Sequence, residues 1–501
     1  HDSERIKPSN MSDTISDGKK PSDRRLHLFA YLIAITSMTH MVSFQWWTDV
    51  LPGQILFCTT LLLFFFPASL LTLGIFLGTS IFHWFNLMPL VPNHVFFELI
   101  VHLTLVAAIA PSLFRGINEK LRGSTKTRHS SISNEIFTSV RPYIRLELII
   151  LYLFTVLHKL NFDFFDPETS CAVSMHGDVA AVLPGIPTGP WTHWPTIIGT
   201  ILIETAIPLL FLKKATRSIG ISIGIVFHLF LALHPHGGIY SFTNLLLTLY
   251  LLLLSDEAID WIILQITRIP IVARVSFKII MACGFCFAVY SQRSAVLEGR
   301  PFTDLNSIGF KAWLPIALGI SACYLLAIAV KFQKSKNESL QQTERVKIHR
   351  PLNPILCLFP ILVLINGSSP YLGLKTTTAF AMFSNLRTEG GKSNHFFLAN
   401  YEVFSYQTDL VRVLNANDPQ FFQLITTGDL VPWFEFKRMI SKSNRPDLEI
   451  VCLRRDQPLV LKRLAPDNNS DDAFEALPWL PYKFLHFHSI SDFDQPMKCC
   501  W

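Results

Sequence analysis

Long runs of apolar residues constrain this chain more than any other feature of its sequence. The run ILFCTTLLLFFF spans residues 55–66, and similar runs recur as far as about residue 370. Half of the 501 residues are hydrophobic and 16% are charged, whereas soluble globular domains carry about 25% charged residues. A helix that crosses a bilayer needs about 20 mainly apolar residues. The sequence therefore predicts an all-α polytopic membrane bundle and excludes an entirely soluble protein.

Eleven windows have the length and hydropathy of a span, so we predict nine to eleven transmembrane helices. The windows are residues 26–44, 51–66, 69–88, 95–114, 142–160, 196–212, 218–234, 239–254, 274–291, 312–330 and 351–367. Lysine and arginine cluster at residues 19–25, 115–128, 213–217 and 331–350, and such clusters mark cytoplasmic loops. With eleven spans, all four clusters share one side of the membrane. This pattern predicts a cytoplasmic N-terminus and an exoplasmic C-terminus, which means periplasmic in a bacterium and lumenal in a eukaryote.

The composition changes at about residue 370, where the apolar runs end. The alternating stretches LEIVCLRR (448–455) and PLVLKRL (458–464) predict strands, and DNNSDD (467–472) predicts a solvated loop. Residues 370–501 are therefore predicted to form an exoplasmic β-rich or α+β soluble domain. Residues 1–25 contain no apolar run and predict a cytoplasmic polar tail, not a cleaved signal peptide.

The cysteines follow the same division of the chain. Cys171, Cys452, Cys499 and Cys500 lie on the predicted exoplasmic side, where oxidation is permitted. A disulfide from Cys171 to the C-terminal domain would tie that domain to the membrane bundle. The five cysteines inside predicted spans are interpreted as small packing groups.

Ionisable residues inside the predicted spans are functional candidates, because each needs a partner or a hydrated cavity. His94 opens the fourth span, His158 and Lys159 close the fifth, Glu204 lies within the sixth and His228 lies in the outer half of the seventh. Under the predicted topology, most of them gather near the exoplasmic surface. This convergence predicts a shared pocket.

His94, Glu98 and His102 recur at every fourth residue and therefore share one face of a helix. As metal ligands they form an incomplete set. A polar stripe that faces the bundle interior is the preferred interpretation, and no metal is predicted.

Lys159 has two interpretations on residue chemistry alone. It either snorkels its ammonium towards the headgroups or serves as a base, held as a free amine among Phe154, Phe162 and Phe164. Desolvation disfavours the charged form of a lysine, which is the physical basis of the second interpretation.

The stretch LYLFTVLHKLNFDFF (151–165) resembles a motif of the vitamin K-dependent γ-glutamyl carboxylase family, also described as the horizontally transferred transmembrane domain family. The family motif reads V-Y-F-x-A-G-x-x-K-L-x-x-D-W. Four positions match it: Tyr152, Lys159, Leu160 and Asp163. Phe164 replaces the tryptophan, Thr155-Val156 replaces the Ala-Gly pair, and His158 replaces a second lysine of the vertebrate enzyme.

Further blocks agree with the family in their order along the chain. They are Asn93-His94 before a span, and RSIG (217–220) followed by Phe227-His228 and by Ser241-Phe242. The resemblance covers about residues 26–260, which it marks as a carboxylase-like transmembrane domain. Residues 261–369 are then additional transmembrane helices.

The resemblance implies a chemistry for the predicted pocket. In the family, the lysine matching Lys159 deprotonates vitamin K hydroquinone, assisted by the histidine matching His94. Reaction with O2 gives a strongly basic alkoxide that removes a γ-proton from glutamate, and CO2 adds to the carbanion. The implied co-substrates are therefore vitamin K hydroquinone or a related quinol, O2 and CO2.

The implied site combines catalytic and substrate-binding residues. The catalytic set is Lys159, His94 and His228, and the binding set is Asn93, Tyr152, His158, Asp163, Glu204, Arg217, Ser241 and Phe242. The implied partners are the lipid bilayer, a lipid-soluble quinol and a peptide or protein glutamate. No nucleic acid is expected, because the cations flank spans without interleaved stacking aromatics.

Two other functions stay open at this stage. One is a transporter or flippase that binds a small anionic solute at broken helices; the other is a non-catalytic membrane assembly protein. A further alternative concerns residues 370–397, in which Ser384–Gly391 and Asn394-His395 either cover the pocket or form a solvated turn.

Overall fold

The structure is a computed structural model that describes residues 21–44, 47, 50–121, 129–298, 308–338, 353–463 and 472–499. Most of the predicted N-terminal tail, residues 1–20, and all but the last residue of the predicted loop 467–472 lie outside the described residues. The described residues that precede residue 373 are mainly helical. In chain order they are α1 Arg25–Ser43, α2 Leu51–Phe65, α3 Leu70–Leu87, α4 Asn93–Leu121, α5 His129–Lys159, α6 Cys171–Val182, α7 His193–Leu212, α8 Arg217–Leu231, α9 Gly237–Leu253, α10 Asp256–Arg268, α11 Ile271–Leu297, α12 Ile308–Glu338 and α13 Pro354–Leu372.

Among the described residues, seven helices are long and apolar enough to cross a bilayer. They are Pro21–Ser43, Leu70–Leu87, Asn93–Ser112, Pro190–Leu212, Ile271–Ser294, Ile308–Gln333 and Pro354–Leu372. The pair α9 and α10, bent by 114°, raises the number to eight if it is one broken span. These helices fit a multi-pass membrane protein.

Among the described residues, the helices that meet this length and hydropathy requirement are fewer than the nine to eleven spans predicted from the sequence. α2 and α8 have 15 residues each and α9 has 17, which is short for a complete crossing. α5 carries Arg145, Glu147 and Lys159 within its apolar part. These helices account for the difference, because each lies in an apolar window of the sequence but is either shorter than a complete crossing or interrupted by charged residues.

α1 and α9 form the centre of the bundle and are buried along most of their lengths. Thr36 on α1 bonds the hydroxyl of Thr248 on α9 at 2.8 Å and accepts a hydrogen bond from Asn244 Nδ2 at 3.0 Å. Asn244 Oδ1 in turn accepts from Trp313 Nε1 of α12 at 3.1 Å. Buried polar groups inside a bundle need such partners, and these bonds fix three helices against one another.

Arginine side chains stabilise the bend between α9 and α10. Arg141 Nε and Arg145 Nε donate to the carbonyl of Leu252, near the end of α9, at 2.8 and 2.6 Å. Arg141 also pairs with Asp256, the first residue of α10, and Arg25 pairs with the same carboxylate at 2.8 Å. The guanidinium groups thus satisfy carbonyls that a helix end leaves without intrahelical partners.

The C-terminal domain has an α+β fold, which is one of the two predicted forms. Its elements are β1 Leu410–Ala416, α14 Phe422–Thr427, β2 Leu430–Pro432, α15 Trp433–Lys442, β3 Glu449–Arg454, β4 Gln457–Lys462 and α16 Trp479–Phe484. The strands form one antiparallel sheet in the order β2-β1-β3-β4. The two predicted strands are confirmed as β3 and β4, which pair from Glu449 opposite Lys462 to Arg454 opposite Gln457.

Covalent and backbone contacts join this domain to the membrane bundle. Cys171 at the start of α6 is disulfide-bonded to Cys499, which confirms the predicted link from Cys171 to the C-terminal domain. Asn161, just after α5, pairs with His395 in an antiparallel bridge, and the Phe396 amide donates to the Leu160 carbonyl at 2.9 Å. The extramembrane segment after α13 is therefore held against the end of α5 that carries Lys159.

Candidate functional site

A cavity of about 480 Å³ lies between α4–α9 and the extramembrane segment that follows α13. Its wall is mainly apolar and includes the rings of Phe44, Phe164, Phe227 and Phe242. The predicted site residues in the wall are Asn93, His94, Tyr152, Lys159, Glu204, His228 and Phe242. Ligand sites commonly have about 300–1,000 Å³ and an apolar lining with a few convergent polar groups, and this cavity has both properties.

Lys159 and Glu204 form a buried ion pair in the cavity wall. Lys159 ends α5, and its Nζ donates to Glu204 Oε2 of α7 at 2.8 Å and to the Thr155 carbonyl at 3.3 Å. Lys159 is 4% exposed, so the snorkelling interpretation is wrong. A carboxylate at this distance stabilises an ammonium, whereas the base interpretation from the sequence held Lys159 as a free amine. The pair is neutral as a whole, whichever partner holds the shared proton.

His228 belongs to a short chain of hydrogen-bonded rings. Its Nε2 bonds the hydroxyl of Tyr152 at 2.7 Å, and that hydroxyl bonds the hydroxyl of Tyr250 at 2.7 Å. The second nitrogen of His228, Nδ1, is buried without a hydrogen-bond partner among the described residues. A buried polar atom of this kind needs a partner, and the hydroxyl of a ligand in the cavity is one that fits.

His94 and Asn93 begin α4 at the edge of the cavity. The His94 ring packs near Phe44 and Phe242, and its Nε2 bonds the hydroxyl of Ser241 at 3.3 Å. Ser241 lies behind His94 and is not part of the cavity wall. It was predicted to bind the substrate, and that prediction differs from its position in the structure. Asn93 Oδ1 accepts a hydrogen bond from the Phe380 amide at 2.7 Å. Asn93 therefore holds the extramembrane segment in addition to its place at the helix terminus.

Residues 377–383 form the roof of the cavity and include the wall residues Thr377, Thr378, Met382 and Phe383. The backbone is left-handed at Thr378, Phe380, Phe383 and Asn385, with φ between 50° and 64°. Such conformations cost about 1–3 kcal/mol each at non-glycine residues and persist only where other contacts impose them.

Asparagine side chains impose the backbone path of the roof. Asn366 Nδ2 donates to the Thr378 carbonyl at 2.9 Å, and Asn161 Nδ2 donates to the Ser384 carbonyl. Of the two alternatives for Ser384–Gly391, the cover is not found there, because the residues that line the cavity precede Ser384. Residues 384–395 anchor the roof instead of lining the cavity.

His158 does not line the cavity, although it precedes Lys159. One residue along an α-helix rotates the side chain by about 100°, so His158 faces α13. Its Nε2 bonds the carbonyl of Gly367 at 3.0 Å, and its ring packs against Phe154 and Tyr371. The predicted binding role of His158 is replaced by a packing role.

Asp163 and Arg217 also lie away from the cavity wall. Asp163 Oδ2 accepts hydrogen bonds from Asn394 Nδ2 at 2.7 Å and from the Met497 amide at 2.9 Å, which links the α5 end to the C-terminal domain. Arg217 begins α8, and its Nε donates to the Phe211 carbonyl at the end of α7 at 3.1 Å. Both residues therefore connect elements instead of contacting a ligand.

Several wall residues outside the spans were not predicted from the sequence. They are His176, Thr377, Thr378, Met382, Phe383 and His486. His486 is the most distant in sequence, and burial lowers its pKa well below the usual range, so its imidazole is neutral. A histidine in a soluble domain carries no signal that it reaches a membrane cavity.

Lys375 is a buried lysine beside the roof. Its Nζ lies 4.2 Å from the ring centroid of Phe96 and 3.4 Å from the hydroxyl of Thr378. Burial lowers the pKa of Lys375 to about 7, and the aromatic face offsets part of the cost of the charged form.

The wall suits a planar aromatic alcohol. Aromatic rings flank the space, while the Lys159–Glu204 pair and His228 provide groups that bond hydroxyls. Within the described ranges, no group of three or more His, Cys, Asp or Glu side chains is arranged to hold a metal ion.

The chain was compared with protein-family models, curated proteins and solved structures. No protein-family model, curated protein or solved structure matches the chain.

Proposed function

We propose that this protein is an integral-membrane enzyme that deprotonates a lipid-soluble quinol of the vitamin K type and oxidises it with O2. The observation that carries the proposal is the buried pair of Lys159 and Glu204 in the wall of an apolar cavity, with Nζ and Oε2 2.8 Å apart. An ion pair in such a place needs a reason, since it is costly to bury and rarely improves stability over apolar residues.

The pair is able to accept one proton from a ligand hydroxyl without creating a net charge in the cavity. The ligand O–H bond breaks, and its proton passes to Glu204 while the ammonium of Lys159 stabilises the new oxyanion. The total charge of pair and ligand is zero before and after this transfer. The protein residues only remove the proton. The subsequent reaction with O2 is a property of the quinol oxyanion itself.

The resemblance of residues 151–165 to the γ-glutamyl carboxylase family supports this proposal. Lys159 and Tyr152 of the shared motif are both in the cavity wall, as are Asn93 and His94 of the second block. Coupling to γ-carboxylation of a glutamate, with CO2 as co-substrate, belongs to the same proposal as its second stage.

The C-terminal domain is proposed to be exoplasmic. The Cys171–Cys499 disulfide supports this placement, because disulfides persist in oxidising compartments. The cavity would then lie at the exoplasmic end of the bundle, where a quinol in the outer half of the bilayer has access.

Oxygen consumption tests the proposal. Purified protein in lipid nanodiscs is given reduced 2-methyl-1,4-naphthoquinone, and oxygen uptake and epoxide are measured above the uncatalysed rate. We expect turnover in the wild type and a loss of at least 100-fold in Lys159→Met and in Glu204→Gln, which is the size of a typical acid–base contribution.

The matched control is Lys278→Met. Lys278 is a membrane lysine of α11 that donates to the Phe64 carbonyl at 3.1 Å and is not part of the cavity wall. Equal losses in Lys278→Met and Lys159→Met, or an inert wild type, would overturn the proposal. Incorporation of labelled bicarbonate into a glutamate-containing peptide tests the second stage.

A further inference from the structure

A continuous line of hydrogen bonds runs from the cavity into the centre of the bundle. His94 Nε2 bonds Ser241 Oγ at 3.3 Å, and Ser241 Oγ bonds His40 Nδ1. His40 Nε2 bonds Glu98 Oε2 at 2.6 Å. The line crosses three helices, because His40 is on α1, His94 and Glu98 are on α4 and Ser241 is on α9.

The line continues beyond Glu98 and then ends inside the protein. Glu98 Oε1 lies 3.4 Å from His102 Nε2, and His102 Nδ1 bonds Ser80 Oγ at 2.9 Å. Every residue from His94 to Ser80 along this line is no more than 4% exposed. The line therefore has one opening, at His94 in the cavity wall, and no second exit to solvent among these residues.

Hydrogen-bonding capacity fixes the direction in which protons point along the line. With Glu98 ionised and both histidines neutral, Glu98 accepts from His40 Nε2–H, so His40 Nδ1 has a lone pair and accepts from the Ser241 hydroxyl. Ser241 has a single proton and must then accept from His94 Nε2–H. His94 Nδ1 is left as a lone pair, which is the form of the ring that takes a proton from a ligand.

We propose that His94, Ser241, His40 and Glu98 form a proton relay that carries a proton from a hydroxyl bound in the cavity to the carboxylate of Glu98. The ligand O–H bond breaks and His94 gains Nδ1–H while passing its Nε2 proton to Ser241. Ser241 passes its proton to His40 Nδ1, and His40 passes its Nε2 proton to Glu98. Three neutral side chains and one carboxylic acid result, and the ligand keeps the negative charge.

The charge balance explains why such a relay would run towards Glu98. A carboxylate is costly in a bundle interior when the histidines beside it are neutral, and a proton that reaches Glu98 turns it into a neutral carboxylic acid. Tryptophan rings at residues 47 and 84 pack around His40, and Phe76 packs on His102. The other ionisable groups near the line are His236, beside His94, and His83, which packs on Trp84.

The relay rests on the proposed function, because it needs a ligand with an ionisable hydroxyl, and it narrows the substrate class. The cavity would have two separate proton acceptors, the Lys159–Glu204 pair and the relay. An aromatic diol loses two protons when it is oxidised to a quinone, so two acceptors suit a diol better than a compound with one hydroxyl.

Infrared difference spectroscopy tests the relay without turnover. The full chain in nanodiscs binds 1,4-naphthohydroquinone under argon, and the carbonyl stretch of protonated carboxylic acids is recorded in H2O and D2O. We expect two new bands that shift in D2O, one lost in Glu204→Gln and the other lost in Glu98→Gln. Ser241→Ala should also remove the Glu98 band, and Ser241→Thr, which keeps the hydroxyl, should retain it.

Glu147→Gln is the matched control, because Glu147 is a fully buried carboxyl on α5 that bonds Thr104 at 2.8 Å outside the relay. It should leave both new bands in place. A Glu98 band that survives in Ser241→Ala, or no Glu98 band beside a clear Glu204 band, overturns the relay and leaves the proposed function intact. Absence of the Glu204 band together with absence of turnover overturns the proposed function itself.

Discussion

Lys159 and Glu204 are best understood as one unit, because neither charge is stable in the cavity wall without the other. Both residues are at least nine-tenths buried, and their charged atoms are 2.8 Å apart. Removal of one partner from a buried pair leaves an uncompensated charge, whereas replacement of both partners by apolar residues is often tolerated.

We therefore expect strong coupling between substitutions in the pair. Lys159→Met and Glu204→Leu should each lower the free energy of unfolding by about 3 kcal/mol, and the double variant should lose clearly less than their sum. Thermal unfolding of the wild type, both single variants and the double variant in nanodiscs, followed by tryptophan fluorescence, measures this double-mutant cycle. Additive losses would show that the two charges do not stabilise each other.

Lys375 gives a prediction about pH. Its pKa is about 7 in the folded protein and about 10.4 when unfolded, so the unfolded chain binds more protons between these values. Stability should rise with pH through this window, by about 2 kcal/mol from pH 7 to pH 9. Lys375→Met should remove that rise and should stabilise the protein most at pH 7 and below. Identical slopes in the two proteins would contradict the buried position of Lys375.

Single residues were predictable where an ionisable side chain interrupted an apolar run. Lys159, His94 and His228 stand out for that reason, and all three line the cavity. His40 did not stand out, because it lies among Ser and Thr near a helix end and its partners Ser241 and Glu98 are 201 and 58 residues away. Partners at such separations follow from helix packing, which no local pattern contains.

The contact between α8 and α9 depends on a glycine. An added Cβ at Gly224 would lie 2.9 Å from Cζ of Tyr250, so no larger residue fits without movement. Tyr250 is the last member of the ring chain that holds His228. Helix spacing and the orientation of a predicted catalytic residue are therefore coupled at this position.

Gly224→Ala tests this coupling. We expect a loss of stability of about 1–3 kcal/mol from overpacking, together with a lower quinol turnover because Tyr250 and Tyr152 shift. Gly199→Ala on α7 is the control, since nothing lies within 4 Å of the place that an added Cβ would occupy there, and it should be neutral or slightly stabilising. Thermal unfolding and oxygen uptake are measured for both variants. Equal stability and equal turnover in Gly224→Ala and Gly199→Ala would contradict the coupling.

Elements were predictable to different degrees. The strands β3 and β4 follow from alternation, because one face of a sheet is buried and the other is exposed. The roof was harder to predict, since its path is set by Asn93, Asn161 and Asn366. Asn93 and Asn161 bond backbone groups that are 287 and 223 residues away in sequence.

At the scale of the whole molecule, the Cys171–Cys499 disulfide closes a loop of 328 residues in sequence separation. Cross-links of long loops stabilise folded chains by about 2–4 kcal/mol. We expect Cys171→Ser and Cys499→Ser to lower the unfolding midpoint equally and a reductant to reproduce the effect in the wild type. Cys58→Ser, at an exposed cysteine of α2, should change nothing. Maleimide labelling before and after reduction, read by mass spectrometry, checks that the bond is present.

The roof has a consequence for biogenesis. Thr377–Phe383 and His486 complete the cavity wall, yet they follow every membrane helix in the order of synthesis. A chain that has folded only as far as α13 therefore lacks the roof of the cavity. Enclosure of a ligand begins only when the later residues have folded and the Cys171–Cys499 disulfide has formed, so completion of the site is separate in time from folding of the helices.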